Sequence, residues 1–100
     1  MKKVGLGEIV VVRDHDAGVH FGRLVDYDVA AKSARLEDAR RIWQWAGALS
    51  VHGLAAYGCA TEGTKCDASV PQVVSTNVVE IVWTTKEGAN CLAELPVWHP

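Results

Sequence analysis

The stretch Asp38-Ala39-Arg40-Arg41-Ile42-Trp43-Gln44-Trp45-Ala46-Gly47-Ala48 is where the reading of this chain turns. It holds an adjacent arginine pair and two of the four tryptophans. Read as an extended segment, it puts Arg41, Trp43 and Trp45 on one side and Arg40, Ile42 and Gln44 on the other. A guanidinium beside two indole planes suits a flat, anionic, aromatic ligand such as a nucleotide. Buried indoles with solvated arginines give the same spacing. Periodicity locates a candidate surface and leaves its role open.

Working upstream, Ser33-Ala34-Arg35-Leu36-Glu37-Asp38-Ala39 reads as a strand entering this segment through a bend near Asp38. Before it come a turn over Asp28–Lys32 and a strand over Val19–Tyr27. Another turn over Asp14–Gly18 and the β-branched run Glu8–Arg13 precede those. Short connections make this a meander. Gly22 inside a strand predicts a bulge or a close backbone approach. Residues 1–7 read as a loose tail.

Downstream, Ala46-Gly47-Ala48 breaks the strand pattern. Ser50 is placed to cap a short helix that packs Leu49 and Leu54 inward and closes on Gly58. Thr61–Lys65 reads as a polar, mobile loop. Pro71–Ser75 and Val78–Trp83 are the last strands, with Thr76-Asn77 either a tight turn or a kink in one long strand. Thr84 or Thr85 caps a second helix, Pro96 stops it, and Val97-Trp98 folds back onto the body. The chain reads as a single α+β domain over 1–100. Its sheet is small, twisted and antiparallel, or a half-open barrel, and carries two short helices.

Composition narrows the function classes. The 100 residues are 49% apolar and 22% charged, enough for one globular unit with a modest core. A net charge of −2 argues against a DNA or RNA binder, though not against a small nucleotide held by a few arginines. No apolar run is long enough to cross a membrane, and no secretory signal is evident, so cytoplasmic, reduced thiols are expected. The three cysteines, Cys59, Cys66 and Cys91, lack zinc-site spacing, and neither a metal nor another cofactor is expected. Four tryptophans against one phenylalanine suggest indole surface completed by a second copy, hence a homo-oligomer.

Catalytic constellations are thin. Asp14-His15-Asp16 has the residues of an oriented general base but also those of a solvated turn, and Cys59 lacks an identifiable base. No phosphate-cradling glycine motif occurs. No catalytic activity is expected. The candidate binding residues are Arg41, Trp43, Trp45, Arg40, Arg23, Phe21, Arg13 and Ser50.

The run Ala39–Ala48, followed by Ser50, Leu54-Ala55 and Gly58, resembles a family of small phage and prophage proteins of unassigned function. Its core reads alanine, arginine, isoleucine, tryptophan, an aromatic, tryptophan and a Gly-Ala turn. The likeness spans roughly residues 8 to 98 and departs at Gln44, where relatives often carry an aromatic. The order of hairpin, Arg-Trp segment, short helix and later strand is more distantly similar to the Thoeris anti-defence sponges. Those phage proteins bind a cyclic ADP-ribose derivative, and related sponges capture the cyclic oligonucleotides of CBASS. The resemblance implies an oligomeric phage-type sponge that withholds a nucleotide second messenger without cleaving it. The other reading is an accessory module whose exposed tryptophans bury against a host protein.

Overall fold

The computed structural model describes residues 4–100. Its elements are β1 (Ile9–Asp14), β2 (Gly18–Asp28), β3 (Ser33–Ala46), α1 (Val51–Tyr57), β4 (Ala60–Cys66), β5 (Val70–Ser75), β6 (Val78–Trp83) and α2 (Lys86–Ala93). The six strands form one antiparallel sheet in the order β4-β3-β2-β1-β6. Fourteen-residue β3 gives one edge to β2 and shares the other between β5, along Ala34–Ala39, and β4, along Ile42–Ala46. This is the expected α+β class, with two short helices on a curled sheet that does not close into a barrel.

The curl follows from one short connection. β5 and β6 sit at opposite ends of the strand path, yet only Thr76 and Asn77 separate them. That is possible only if the sheet rolls until its ends nearly meet. Asn77 O accepts from His15 N at 3.0 Å, and Val78 N donates to Lys32 O at 2.9 Å, which fixes the crossing. Thr76-Asn77 is therefore a kink rather than a hairpin turn.

Rolling buries both faces of β1, which explains its run of valines without polar alternation. Val10 and Val12 point into the roll with Leu24, Ala34, Leu36 and Ala39. Val11 points the other way, to Phe21, Ile42, Leu54 and Leu92 beneath the helices. Each fully buried leucine contributes about 1.5–3 kcal/mol. Gly22 marks the expected bulge: β3 advances three residues, from Arg40 to Glu37, while β2 advances two. A Cβ at Gly22 would lie 3.0 Å from Glu37 O, and Asp38 takes up the extra residue at φ 51°.

Both helices are short and depend on packing. α1 buries Val51, Leu54 and Ala55 and stops at Gly58, φ 84°. Thr85 caps α2, its hydroxyl accepting from Gly88 N at 3.0 Å.

Several expectations are corrected. Leu49 is fully exposed rather than packed inward, and Ser50 occupies the N-cap position without a side-chain bond. Thr61–Lys65 belongs to β4, because the second half of β3 offers it an open edge. Of the tail, residues 1–3 lie outside the described residues, and 4–7 are held down. Gly7 N donates to Leu24 O at 2.7 Å, Tyr27 Oη to Val4 O at 3.2 Å, and Trp83 Nε1 to Gly5 O at 3.1 Å.

Candidate functional site

A second bulge shapes the site. Between Ile42↔Cys66 and Gln44↔Lys65, β3 advances two residues while β4 advances one, so Trp43 is the extra residue. Simple alternation ends there. Ile42 and Trp45 both pack toward the helix-side core, and Trp43 turns outward with 56% of its surface exposed. The expectation that Trp45 shares a side with Arg41 and Trp43 fails for this reason.

Two groups hold Trp43. Its Nε1–H donates to Asp67 Oδ2 at 2.7 Å, and the Arg41 guanidinium stacks over its ring at 3.6 Å. A stacked cation–π contact is worth about 0.5–2 kcal/mol, depending on how far water is excluded. Facing it is the chain after α2. Trp98 N donates to Cys66 O at 2.9 Å, and the Lys65 ammonium sits 4.6 Å from the Trp98 ring. Trp43, Gln44, Lys65, Asp67, Trp98 and Pro100 enclose an open groove of about 550 Å³. That lies within the roughly 300–1,000 Å³ usual for small-molecule sites. A second, smaller cleft of about 260 Å³ lies along β6, lined chiefly by Tyr27, Val78, Val79, Ile81 and Trp83.

Behind Trp43 the setting is polar and tightly enclosed. Arg41 pairs in register with His20 across β2 and β3. Arg41 Nε and His20 Nδ1 are both buried without a hydrogen-bond partner among the described residues. Burial, and then the Arg41 charge, push the His20 imidazole below its usual range although Asp14 and Asp67 pull upward, so it is neutral at pH 7. Gly18 leaves room for the guanidinium: a Cβ there would lie 3.2 Å from Arg41 Nη2.

The remaining sequence candidates go elsewhere. Arg40 points away from Trp43 and clamps the chain, donating from Nε to Asp67 O and from Nη1 to Leu95 O, each at 2.7 Å. Arg23 is paired with Glu37 at 3.0 Å and Asp38 at 3.2 Å, and Arg13 with Glu80 at 2.9 Å. Phe21 is buried in the core, so it offers no face to a ligand. Ser50 is exposed at the start of α1. Of the candidates, Trp43 alone lines the groove, and Arg41 reaches it only through the stack on the Trp43 ring. Sequence reasoning missed Lys65 and Asp67, whose only signal is long-range: pairing Ile42 with Cys66 brings Asp67 beside Arg41.

The groups considered for catalysis are engaged in structure. Asp14 Oδ1 accepts from Asp16 N and Ala17 N, and its Oδ2 accepts from Asn77 N. His15 bonds Asp16 at 3.0 Å in solvent. Burial pushes the Cys59 thiol up, against the pull of the Thr64 hydroxyl, which keeps it protonated at neutral pH. Among the described residues, no group of three or more His, Cys, Asp or Glu is placed to hold a metal ion. No helix there is long and apolar enough to cross a membrane.

Residues 7–92 match the family described as Domain of unknown function (DUF6948). The chain belongs to that family. The match takes in Arg41, Trp43, Lys65 and Asp67 of the DUF6948 domain and stops before Trp98, so one wall of the groove lies outside it. No curated protein and no solved structure matches the chain.

Proposed function

We propose that this DUF6948 protein is a phage-type anti-defence sponge. In this reading it binds a cyclic oligonucleotide or cyclic ADP-ribose derivative and sequesters it, uncleaved, in the cytoplasm of an infected or lysogenic bacterium. The observation that carries the reading is the Arg41–Trp43 stack opening on a groove whose far wall is Trp98 with Lys65. Exposed indoles supply stacking planes for bases, and the two cations supply charge for phosphates. Neutral His20 and the core-bound Phe21 and Trp45 support the site from behind without entering it.

The test is a thermal-shift screen of the purified protein against cyclic dinucleotides, cyclic trinucleotides and cyclic ADP-ribose isomers. Bound ligand is recovered by heating and its integrity checked. A ligand at a hundredfold excess over its Kd should stabilise the fold by about 2.7 kcal/mol. Trp43→Ala should weaken that ligand by about 1–3 kcal/mol through lost stacking. A flat response across the whole panel would reject the reading.

A second reading is favoured by a different feature. Fully exposed Leu49, just before α1, and 70%-exposed Tyr57, its last residue, offer apolar surface to another protein. A pull-down that returns one stoichiometric protein partner and no small molecule would select this module over the sponge.

A further inference from the structure

The groove contains a carboxylate that the fold leaves half used. Asp67 is exposed, and its Oδ2 accepts the Trp43 indole N–H at 2.7 Å. Its Oδ1 makes no hydrogen bond or ion pair among the described residues. The indole thus anchors a carboxylate beside its own ring, with a free oxygen in the groove. Gln44 also lines the groove but carries no charge, and its amide nitrogen is used on Gly63 O at 3.3 Å.

The charges around this carboxylate decide what can dock. Arg41 lies against Trp43 and Lys65 against Trp98, so two cations answer one anion. Both cations would repel a cationic guest, which argues against a cage for quaternary ammonium groups. A ligand carrying phosphate fits the excess charge, but it must present N–H donors where it meets Asp67.

Among the nucleobases, guanine alone sets two donors side by side, N1–H and the 2-amino group, with its acceptors O6 and N7 on other atoms. Adenine and cytosine place one amino donor next to a ring-nitrogen lone pair. Uracil flanks its single N–H with two carbonyls. Each of these would turn a lone pair toward the second carboxylate oxygen. We infer that the groove selects guanine, with Asp67 accepting from N1–H and the 2-amino group, Lys65 facing the ligand's acceptors and phosphates, and Arg41 adding positive charge from its place against the Trp43 ring. This rests on the nucleotide-binding reading above and narrows it to one base.

The experiment is isothermal titration of the full chain with cyclic di-GMP, cyclic di-IMP and cyclic di-AMP. Hypoxanthine differs from guanine only in lacking the 2-amino group, so this comparison needs no protein variant. The guanine ligand should bind roughly 5- to 150-fold tighter than the hypoxanthine one. Asp67→Asn keeps an oxygen for the Trp43 indole but offers an NH2 in place of the second acceptor. It should erase that preference while circular dichroism and Tm stay unchanged. Equal affinity for the first two ligands, or tightest binding of cyclic di-AMP, overturns the guanine assignment and leaves nucleotide binding standing. If these three, the cyclic trinucleotides and every cyclic ADP-ribose isomer fail to bind, both readings fall together.

Discussion

Asp14 shows how a single buried carboxylate ties the roll of the sheet together. Burial alone would raise its pKa, but N–H donors from Ala17, Asp16 and Asn77, with His20 nearby, more than offset that and hold it below the usual range. A depressed folded-state pKa contributes stability that is fully present above the unfolded value of about 3.9. That contribution is lost as pH falls through the lower folded value. Glu80 shares the direction, through His52 first and then Arg13, but Asp14 is the more enclosed of the two. Urea titrations from pH 7 to pH 2 should therefore show stability falling below about pH 4. Asp14→Asn should lose about 1–3 kcal/mol at pH 7 and show a shallower acid limb. An unchanged acid limb in the variant would place the titration elsewhere.

Arg40 makes a second case at this scale. Its two charge-assisted bonds run to the carbonyls of Asp67 and Leu95, joining the end of β4 to the chain after α2. Arg40→Ala should cost about 3 kcal/mol in a denaturant melt and open the segment beyond Leu95 to proteolysis. Cleavage resistance equal to the native chain would show that buried Leu95 holds that segment alone.

Between elements, the contact of α2 with α1 sets local propensity against packing. Alanine is about 1 kcal/mol better than glycine within a helix, so propensity alone favours Gly88→Ala. The structure predicts the reverse. A Cβ at Gly88 would overlap the Ala55 carbonyl oxygen, with Ala55 C at 2.7 Å, and backbone cannot swing aside as a side-chain tip can. Overpacking of this kind costs about 1–3 kcal/mol and should exceed the propensity gain, giving a lower Tm. A higher Tm would mean that α2 slides freely on α1.

The same contrast separates what the sequence reveals from what it conceals. Gly22, Asp38, Gly58 and Thr85 announce a bulge, a bend, a helix end and a cap, because each acts through its own backbone or immediate neighbours. The helix cap at Ser50 and the fate of Leu49 depend instead on how α1 seats against the core. Trp45 turns inward because of pairing between β3 and β4, and Lys65, Asp67 and Trp98 join the groove through that pairing and the returning chain. No local pattern encodes those contacts. The candidate site was therefore legible at Arg41 and Trp43 and not across the groove from them.

At the scale of the whole molecule, the open question is what covers β6. This strand ends the path of the sheet, and strand edges are commonly guarded by charge or proline. Glu80, the one charge on β6, is already engaged by Arg13 at 2.9 Å and His52 at 3.2 Å. Val79 is 47% exposed, Trp83 36% and nearby Val29 80%. Two copies pairing their β6 edges about a two-fold axis would bury this surface and give the expected homo-oligomer a definite site. Strand pairing alone is small beside the roughly 1,200–2,000 Å² of a stable interface, so Val29 and Trp83 must be covered as well. Light scattering at micromolar concentration should report twice the 10.8 kDa chain mass, and Val79→Lys should report one. The β6 cleft and the Trp43 groove share no lining residue. Val79→Lys should therefore bind nucleotide as tightly as the native chain. A monomeric native protein would remove the edge-paired dimer. A monomeric variant that also loses its ligand would mean that the partner copy completes the groove.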